Sequence, residues 1–298
     1  DLNQAFDYIS SCKPPIVLKA DGLAAGKGVV ICLSQGEAKA VIKEMLVNKK
    51  FGEASAKVLI EEFLNGIEVS VFVLTDGKDY VILPEAKDYK RIGEGDTGPN
   101  TGGMGAVSPV VFANATFMKR VEEEVVKPTI AGLHQDNIDY KGFIFVGIMN
   151  VGGTPYVIEY NARMGDPETQ AVMPRIKNDL VELLVACAKG ELKGKQVEQA
   201  DHYAVTLALV SGGYPGDYEK GKVINGLSPA KNALVFHAGT KHLNGSVLTD
   251  GGRVLAISGN GKTLEEARKQ AYDAAAEINW EGLYFRKDIG LDLLNYKG

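Results

Sequence analysis

Five stretches of this 298-residue sequence carry residue types that could bind an anion, a cation or a small polar ligand. The first is Ala24-Ala25-Gly26-Lys27-Gly28, shortly after a predicted strand that includes Lys19. Glycines let backbone N–H groups converge on a phosphate, and the two lysines add charge. No Ser or Thr follows Lys27, so this is not a P-loop, and Val29 begins a strand rather than a helix. A hairpin closing over phosphates suits the stretch; a plain glycine turn with a solvated lysine suits it too. The second is Glu159-x-Asn161. Residues two apart on a strand share a face, and a carboxylate beside an amide oxygen suits a hard cation such as Mg²⁺. Arg163 keeps the same spacing and offers a planar donor fork for a phosphoryl group. Two polar residues on a wet strand face would look the same.

The third stretch is Glu61-Glu62-Phe63-Leu64, with Glu68 downstream. A strand leaving its sheet with a free peptide edge could pair with an adenine, and Glu68 could accept from ribose hydroxyls. An ordinary acidic strand end is the alternative. The fourth is the loop from Asp88-Tyr89-Lys90-Arg91 to Thr101-Gly102-Gly103-Met104-Gly105, for which a mobile, functionless loop is the alternative. Small residues beside two cations suggest a pocket for an anionic substrate. The fifth is Gly165-Asp166-Pro167-Glu168-Thr169, where Asp166 or Thr169 could cap the helix that follows. His134, His202, His237 and His242 are scattered, with no metal-like spacing, and read as structural or surface residues.

These residues need strands and turns to place them. A helix over 3–11 ends at Pro14-Pro15. Strands are predicted at 16–19, 29–32, 58–64 and 68–74, with a helix over 35–48. Residues 84–109 read as one long polar loop, a length uncommon in a compact domain unless functional. A helix over about 114–134 follows, then strands at 142–150 and 156–160 and a helix over about 178–189. The Lys/Glu-rich stretch to about 200 reads as a linker. Strands near 203–210, 233–238 and 253–258 and a helix over 263–278 complete a separate unit. Hairpins outnumber βαβ units, so the class is α+β.

Composition narrows the function. Hydrophobic residues make up 45% and charged residues 24%, which excludes whole-chain disorder. A net charge of −5 argues against a nucleic-acid binder. No run approaches the roughly 20 apolar residues of a membrane span. Cys12, Cys32 and Cys187 are too few and too scattered for a zinc site or a redox pair, which points to reduced thiols and a cytoplasmic protein. The first residues look like a helix already under way, so the chain is expected to begin inside a longer protein.

The order of the motifs says more than any one of them: lysine strand, glycine loop with lysine, Glu-Glu-Phe-Leu, a downstream Glu, then Glu-x-Asn. That order resembles the ATP-grasp ligases. DYKRIGEGDTGPNTGGMGAVSP and VIEYNARMGDPETQAVMPRI closely resemble the glycinamide ribonucleotide synthetases within them. The likeness continues through GGYPGDYEKG, VFHAGT, DGGRVLAISG and FRKDIG, so it covers essentially the whole chain. It implies an ATP-grasp fold: a small lid over 13–66, a larger lobe over 67–195 with ATP between them, and a C-terminal α+β domain over 196–298, residues 1–12 being a remnant of a preceding segment. It implies that ATP phosphorylates glycine and that 5-phosphoribosylamine captures the acyl phosphate. It implies ATP contacts from Lys19, Gly26, Lys27, Gly28, Glu61, Glu62, Phe63, Leu64 and Glu68. Mg²⁺ (or Mn²⁺) would sit on Glu159 and Asn161, with Arg163 and Lys27 catalytic. Asp88, Lys90, Arg91, Asn100, Thr101, Gly102, Gly103, Asp166 and Glu168 would shape the glycine and acceptor pocket. Two departures stand out. Val146-Gly147-Ile148-Met149 lacks the further acidic metal ligand of many ATP-grasp enzymes, and the family's N-terminal domain would lie ahead of residue 1. An ATP-binding module that does not turn over alone, and another ATP-grasp carboxylate–amine ligase, are the competing readings.

Overall fold

The computed structural model describes residues 1–22, 28–227 and 233–296. The chain forms two compact units, Asp1–Asn65 and Gly66–Gly298. In unit 1, α1 (Leu2–Ser11) leads into β1 (Ile16–Ala20), β2 (Val29–Cys32), α2 (Gln35–Leu46) and β3 (Val58–Glu62). Asp1 caps α1 by accepting from the Asn3 and Gln4 N–H groups at 2.7 and 3.2 Å. Ser34 caps α2 through the Glu37 N–H, and Glu37 reaches back to the Leu33 N–H at 2.7 Å. The three strands pair antiparallel in the order β2-β1-β3. Strand alternation sends Ile16 and Leu18 into a core with Ile9, Cys32, Ala38, Ile42 and Met45. The opposite face carries Val17, Lys19, Val29, Ile31, Leu59 and Glu61, which the cross-strand register sets side by side.

Unit 2 begins with β4 (Ile67–Thr75), β5 (Tyr80–Ile82), β6 (Lys87–Asp88), β7 (Arg91–Gly93), β8 (Thr97–Asn100) and β9 (Gly105–Ser108). A helical stretch follows, α3 (Ala115–Val121) running through a π-turn into α4 (Lys127–Gln135), then β10 (Gly142–Val151) and β11 (Thr154–Asn161). Next come α5 (Glu168–Val172), α6 (Leu180–Lys189), β12 (Tyr203–Val210), β13 (Ala233–His237), β14 (Thr240–Leu243), β15 (Ser246–Thr249), β16 (Arg253–Gly261) and α7 (Leu264–Glu277). One sheet runs β11-β10-β4-β5 and another β13-β16-β12-β9-β6, all pairs antiparallel. β4 is buried on both faces: Val69, Val71 and Val73 enter the larger core, while Phe72 and Leu74 enter a second core with Leu183, Ala186 and Cys187 of α6. α7 lies against β16 through Ala267 and Ala271. A Cβ on Gly259 would come within 2.4 Å of the Ala267 carbonyl oxygen, so glycine sets that approach.

The α+β class holds, and three local expectations change. Residues 84–109 are not structureless: β6 and β9 are paired, and β7 and β8 form a hairpin. Their short, glycine-rich strands lack the alternation that would have revealed them, because distant contacts hold them. The stretch after Gly190 is not a detached linker. Leu192 is buried, its N–H donates to Asp76 Oδ2 at 3.0 Å, and Gln199 bridges to Ile176. β12 shares a sheet with β9, and both belong to unit 2. Neither Asp166 nor Thr169 caps α5: Pro167 holds the cap position, and Thr169 Oγ1 donates to the Gly165 carbonyl. Among the described residues no helix is long and apolar enough to cross a membrane.

Candidate active site

In unit 1 the candidate residues share one sheet face. Lys19 Nζ and Glu61 form an ion pair at 2.6 Å, with Lys19 the more buried partner. Around them Val29, Ile31 and Leu59 stand 39 to 44% exposed, an apolar face left open on the side away from α1 and α2. Sequence reading missed these three; alternation opposite Ile16 and Leu18 would have found them. β3 ends at Glu62, and the peptide groups of Phe63 and Leu64 make no hydrogen bond among the described residues. That free edge is the feature an adenine would need. The β1–β2 hairpin is closed by the Ala20 N–H donating to the Gly28 carbonyl at 2.9 Å. Gly26 and Lys27 lie outside the described residues.

In unit 2 a cation sits among carboxylates. Lys90 pairs with Glu68 at the start of β4, and Asp88 and Glu159 act on the same ammonium. Burial disfavours the charge on Lys90, but Asp88, Glu68 and Glu159 outweigh it and hold the ammonium above its ordinary range. Asp88 is pushed up to about 6 by burial, with Lys90 opposing the shift and Glu68 adding to it. Glu168 is pushed up to about 8 by burial and by Asp88. It is only 4% exposed, and the Ser70 hydroxyl donates to its Oε1 at 3.3 Å. A Cβ on Gly165 would lie 2.6 Å from the Glu168 carboxyl carbon, so glycine makes room for that side chain.

Glu159 and Asn161 end β11 on one face. A bulge at Gly147/Ile148 shifts the register so that Glu159 faces Gly147, and a Cβ there would come within 3.0 Å of Glu159 Cγ. Neither side chain makes a hydrogen bond or ion pair among the described residues, so both oxygens remain available to a cation. No group of three or more His, Cys, Asp or Glu suited to a metal occurs among the described residues. The pair could give Mg²⁺ two protein donors, with water or phosphate oxygens completing the shell. Arg163 is exposed and donates to the Met164 carbonyl at 2.9 Å.

The loop ends meet at Lys90. The Thr101 N–H and hydroxyl both donate to the Lys90 carbonyl, at 2.7 and 2.9 Å, and Thr101 Oγ1 accepts from the Gly103 N–H. Asn100 pairs with Arg91 across the hairpin, and the Arg91 side chain folds back onto the Gly98 carbonyl at 2.7 Å. Residues far along the chain clasp this frame. Arg286 is 1% exposed and donates to the Arg91 carbonyl, Asp96 and Asp288. Tyr284 donates to the Ile92 carbonyl, and Tyr214 accepts the Gly102 N–H at 2.8 Å. None of these clasping residues stood out individually in the sequence, although GGYPGDYEKG contains Tyr214 and FRKDIG contains Arg286.

Comparison with known proteins decides the family. The model for the phosphoribosylglycinamide synthetase ATP-grasp (A) domain matches residues 1–169, more than half of the chain, and that for the C domain matches 204–292. The chain belongs to the phosphoribosylglycinamide synthetase family. A phosphoribosylamine–glycine ligase of Chlorobaculum tepidum is 47% identical over 99% of the chain and 70% of its own length. One from Yersinia pestis is 45% identical over 97% of the chain and 69% of its length. The crystal structure of a phosphoribosylamine–glycine ligase from Thermotoga maritima superposes with a TM-score of 0.87 at 38% identity, over 97% of the chain and 72% of that structure. The biotin carboxylase domain of Hydrogenobacter thermophilus 2-oxoglutarate carboxylase, at TM-score 0.70 and 16% identity, shows the same ATP-grasp fold.

Proposed function

We infer that this chain carries out the ATP-dependent ligation of glycine to 5-phosphoribosylamine, giving glycinamide ribonucleotide, ADP and phosphate in purine biosynthesis. The observation that carries the reading is that its likeness to ligases of that name runs through both family domains. The site's chemistry agrees with it. The ATP γ-phosphoryl group passes to a glycine carboxylate oxygen, and ADP leaves. The amine of phosphoribosylamine then attacks the glycyl carbonyl carbon, forming the C–N bond, and phosphate leaves with the broken acyl–oxygen bond. Little covalent chemistry falls to the protein, so positioning and charge neutralisation dominate.

In unit 1, Lys19, Lys27, Gly26 and Gly28 would face ATP phosphates. The apolar face of Val29, Ile31 and Leu59 suits the adenine ring, and the free peptides of Phe63 and Leu64, beside Glu61 and Glu62, suit its polar edge. In unit 2, Glu68 keeps one oxygen on Lys90 and has the other for ribose hydroxyls. Glu159 and Asn161 would hold Mg²⁺ or Mn²⁺, which when bound neutralises phosphate charge. Arg163 would steady the transferring group. Lys90, Arg91, Asp88, Asn100, Thr101, Gly102, Gly103, Asp166 and Glu168 would form and frame the pocket for the two small substrates. The thiols of Cys32 and Cys187 are free and buried, which fits a reducing cytoplasm.

The test follows ADP formation by the natural protein carrying this chain, with each substrate omitted in turn. ADP release that needs both glycine and phosphoribosylamine is expected. Release that proceeds with a different carboxylate and amine, and not with these, would overturn the reading.

A further inference from the structure

Within unit 2, Arg253 opens β16, the strand held between β12 and β13. Its backbone carbonyl accepts the Gly239 N–H at 3.0 Å, so its root is fixed in the sheet. Its guanidinium reaches two separate loops. Nη1 donates to the carbonyls of Gly102 and Asp166, both at 2.7 Å, and Nη2 donates to Asp166 Oδ2 at 2.9 Å. Asp166 Oδ1 takes the Gln170 side-chain N–H at 3.0 Å, so both oxygens of that carboxylate are already engaged. The loops themselves touch so closely that only glycine fits. A Cβ on Gly103, at φ +116°, would lie 2.4 Å from Pro167 Cδ, and one on Gly102 would lie 3.0 Å from the Arg253 guanidinium carbon.

What the two loops carry gives the clamp its meaning. One side of it leads through Thr101 to the Lys90 carbonyl, and the other through Pro167 to Glu168, which is 4% exposed. We propose that Arg253 is a positioning residue that locks these two loops together and so sets the distance between Lys90 and Glu168 in the small-substrate pocket. Asp166 then serves as the anchor of the clamp rather than as a ligand contact. The proposal rests on the ligase reading above. A lysine cannot replace the clamp, because its single ammonium lacks the planar fork that serves two carbonyls and a carboxylate at once.

The experiment uses R253K and R253Q in the natural protein. Initial rates are measured with ATP, glycine and phosphoribosylamine each varied, together with thermal melting and hydrogen exchange of the ligand-free protein. In R253K the KM for glycine or phosphoribosylamine is expected to rise about tenfold, as loss of charge-assisted hydrogen bonds implies. The KM for ATP should stay within about twofold, and exchange should quicken in the peptide around Gly102 and Gly103. Unchanged KM values with unchanged exchange would overturn the proposal. So would equal rises for all three substrates accompanied by a lowered Tm, the pattern of a merely structural residue. If R253Q does not fold, R253K decides the matter alone. Wild-type protein in the same assay tests the ligase reading separately: without glycine-dependent ADP formation that reading falls, while the exchange data still judge the clamp.

Discussion

The two units meet the problem of holding a polar ligand in opposite ways. Unit 1 offers an open sheet face with one ion pair, Lys19–Glu61, set among exposed Val29, Ile31 and Leu59. Unit 2 gathers its charges: a half-buried Lys90 lies among Glu68, Asp88 and an exposed Glu159, and beside them Glu168 is almost wholly out of water. An apolar face recognises a flat ring by burial, which is tolerant of detail and adds up by area. Buried, paired charge recognises small polar molecules by position, and is intolerant of any missing partner. Unit 2 therefore needs a stiff frame, and Arg253 and Arg286 supply it; unit 1 shows no comparable set of buried ties around its open face among the described residues.

The largest expected effect lies where several carboxylates meet on one cation. Lys90→Met leaves Glu68, Asp88 and Glu159 without their facing cation. Asp88 loses the cation that opposes its raised pKa, and the electrostatic layout of the pocket is lost. The expected drop in kcat/KM is about 100-fold or more, the scale of removing one preorganised electrostatic group. Glu61→Gln in unit 1 removes one partner of a single ion pair, where Lys90 faces three carboxylates, and should cost far less. Steady-state kinetics on the two variants side by side make the measurement, and equal losses would erase the contrast between the units.

A second, intermediate effect concerns stability and pH. Glu168 is raised to about 8 in the folded chain, against an ordinary carboxylate value of about 4.3 when unfolded. The native state therefore holds its proton more tightly than the unfolded state. Its contribution to stability is complete below the unfolded value and is lost as pH rises through about 8. Asp88, raised to about 6, acts in the same direction over a lower window. Lys90, held above its ordinary range, adds a constant amount across both windows. Glu168→Gln removes the largest sloping contribution. The ligand-free variant's advantage over wild type should be about 3 kcal/mol larger at pH 8 than at pH 5, while ligation falls. Urea unfolding at the two pH values checks this; a gain of equal size at both would mean that packing, not ionisation, sets it.

This stored cost also explains how much could be read beforehand. Periodicity revealed most helices and hairpins, because their cores lie on faces of period 3.6 or 2, as in Ile16 and Leu18 or Ala267 and Ala271. Motif order nominated Glu159 and Asn161, and the DYKR loop nominated Lys90. The hairpin of β7 and β8 was invisible because its partners, Tyr284 and Arg286, lie almost two hundred residues away. Tyr214 and Arg253 were hidden for the same reason. No local pattern can announce a side chain whose purpose is a distant carbonyl. The Lys/Glu-rich composition after Gly190 suggested a linker because composition does not register one buried Leu192 tied to Asp76.

The smallest effect belongs to the open face of unit 1. Ile31 is 42% exposed on the side of the sheet opposite the core. Ile31→Ser removes apolar surface that is already half in water, so its cost to folding should stay near 0.5 kcal/mol. If the face receives adenine, the same change withdraws part of the ring's burial. The KM for ATP should then rise several-fold, in keeping with about 1 kcal/mol of lost apolar contact, while the KM values for glycine and phosphoribosylamine hold. That split is the mirror image of the one expected for Arg253→Lys, which leaves ATP alone and raises the KM for a small substrate. Measuring both variants against all three substrates tests whether the two units divide recognition by chemistry. A rise in every KM from either single change would show instead that the units answer to each other's substrates, and that burial and charge are not separate instruments in this chain.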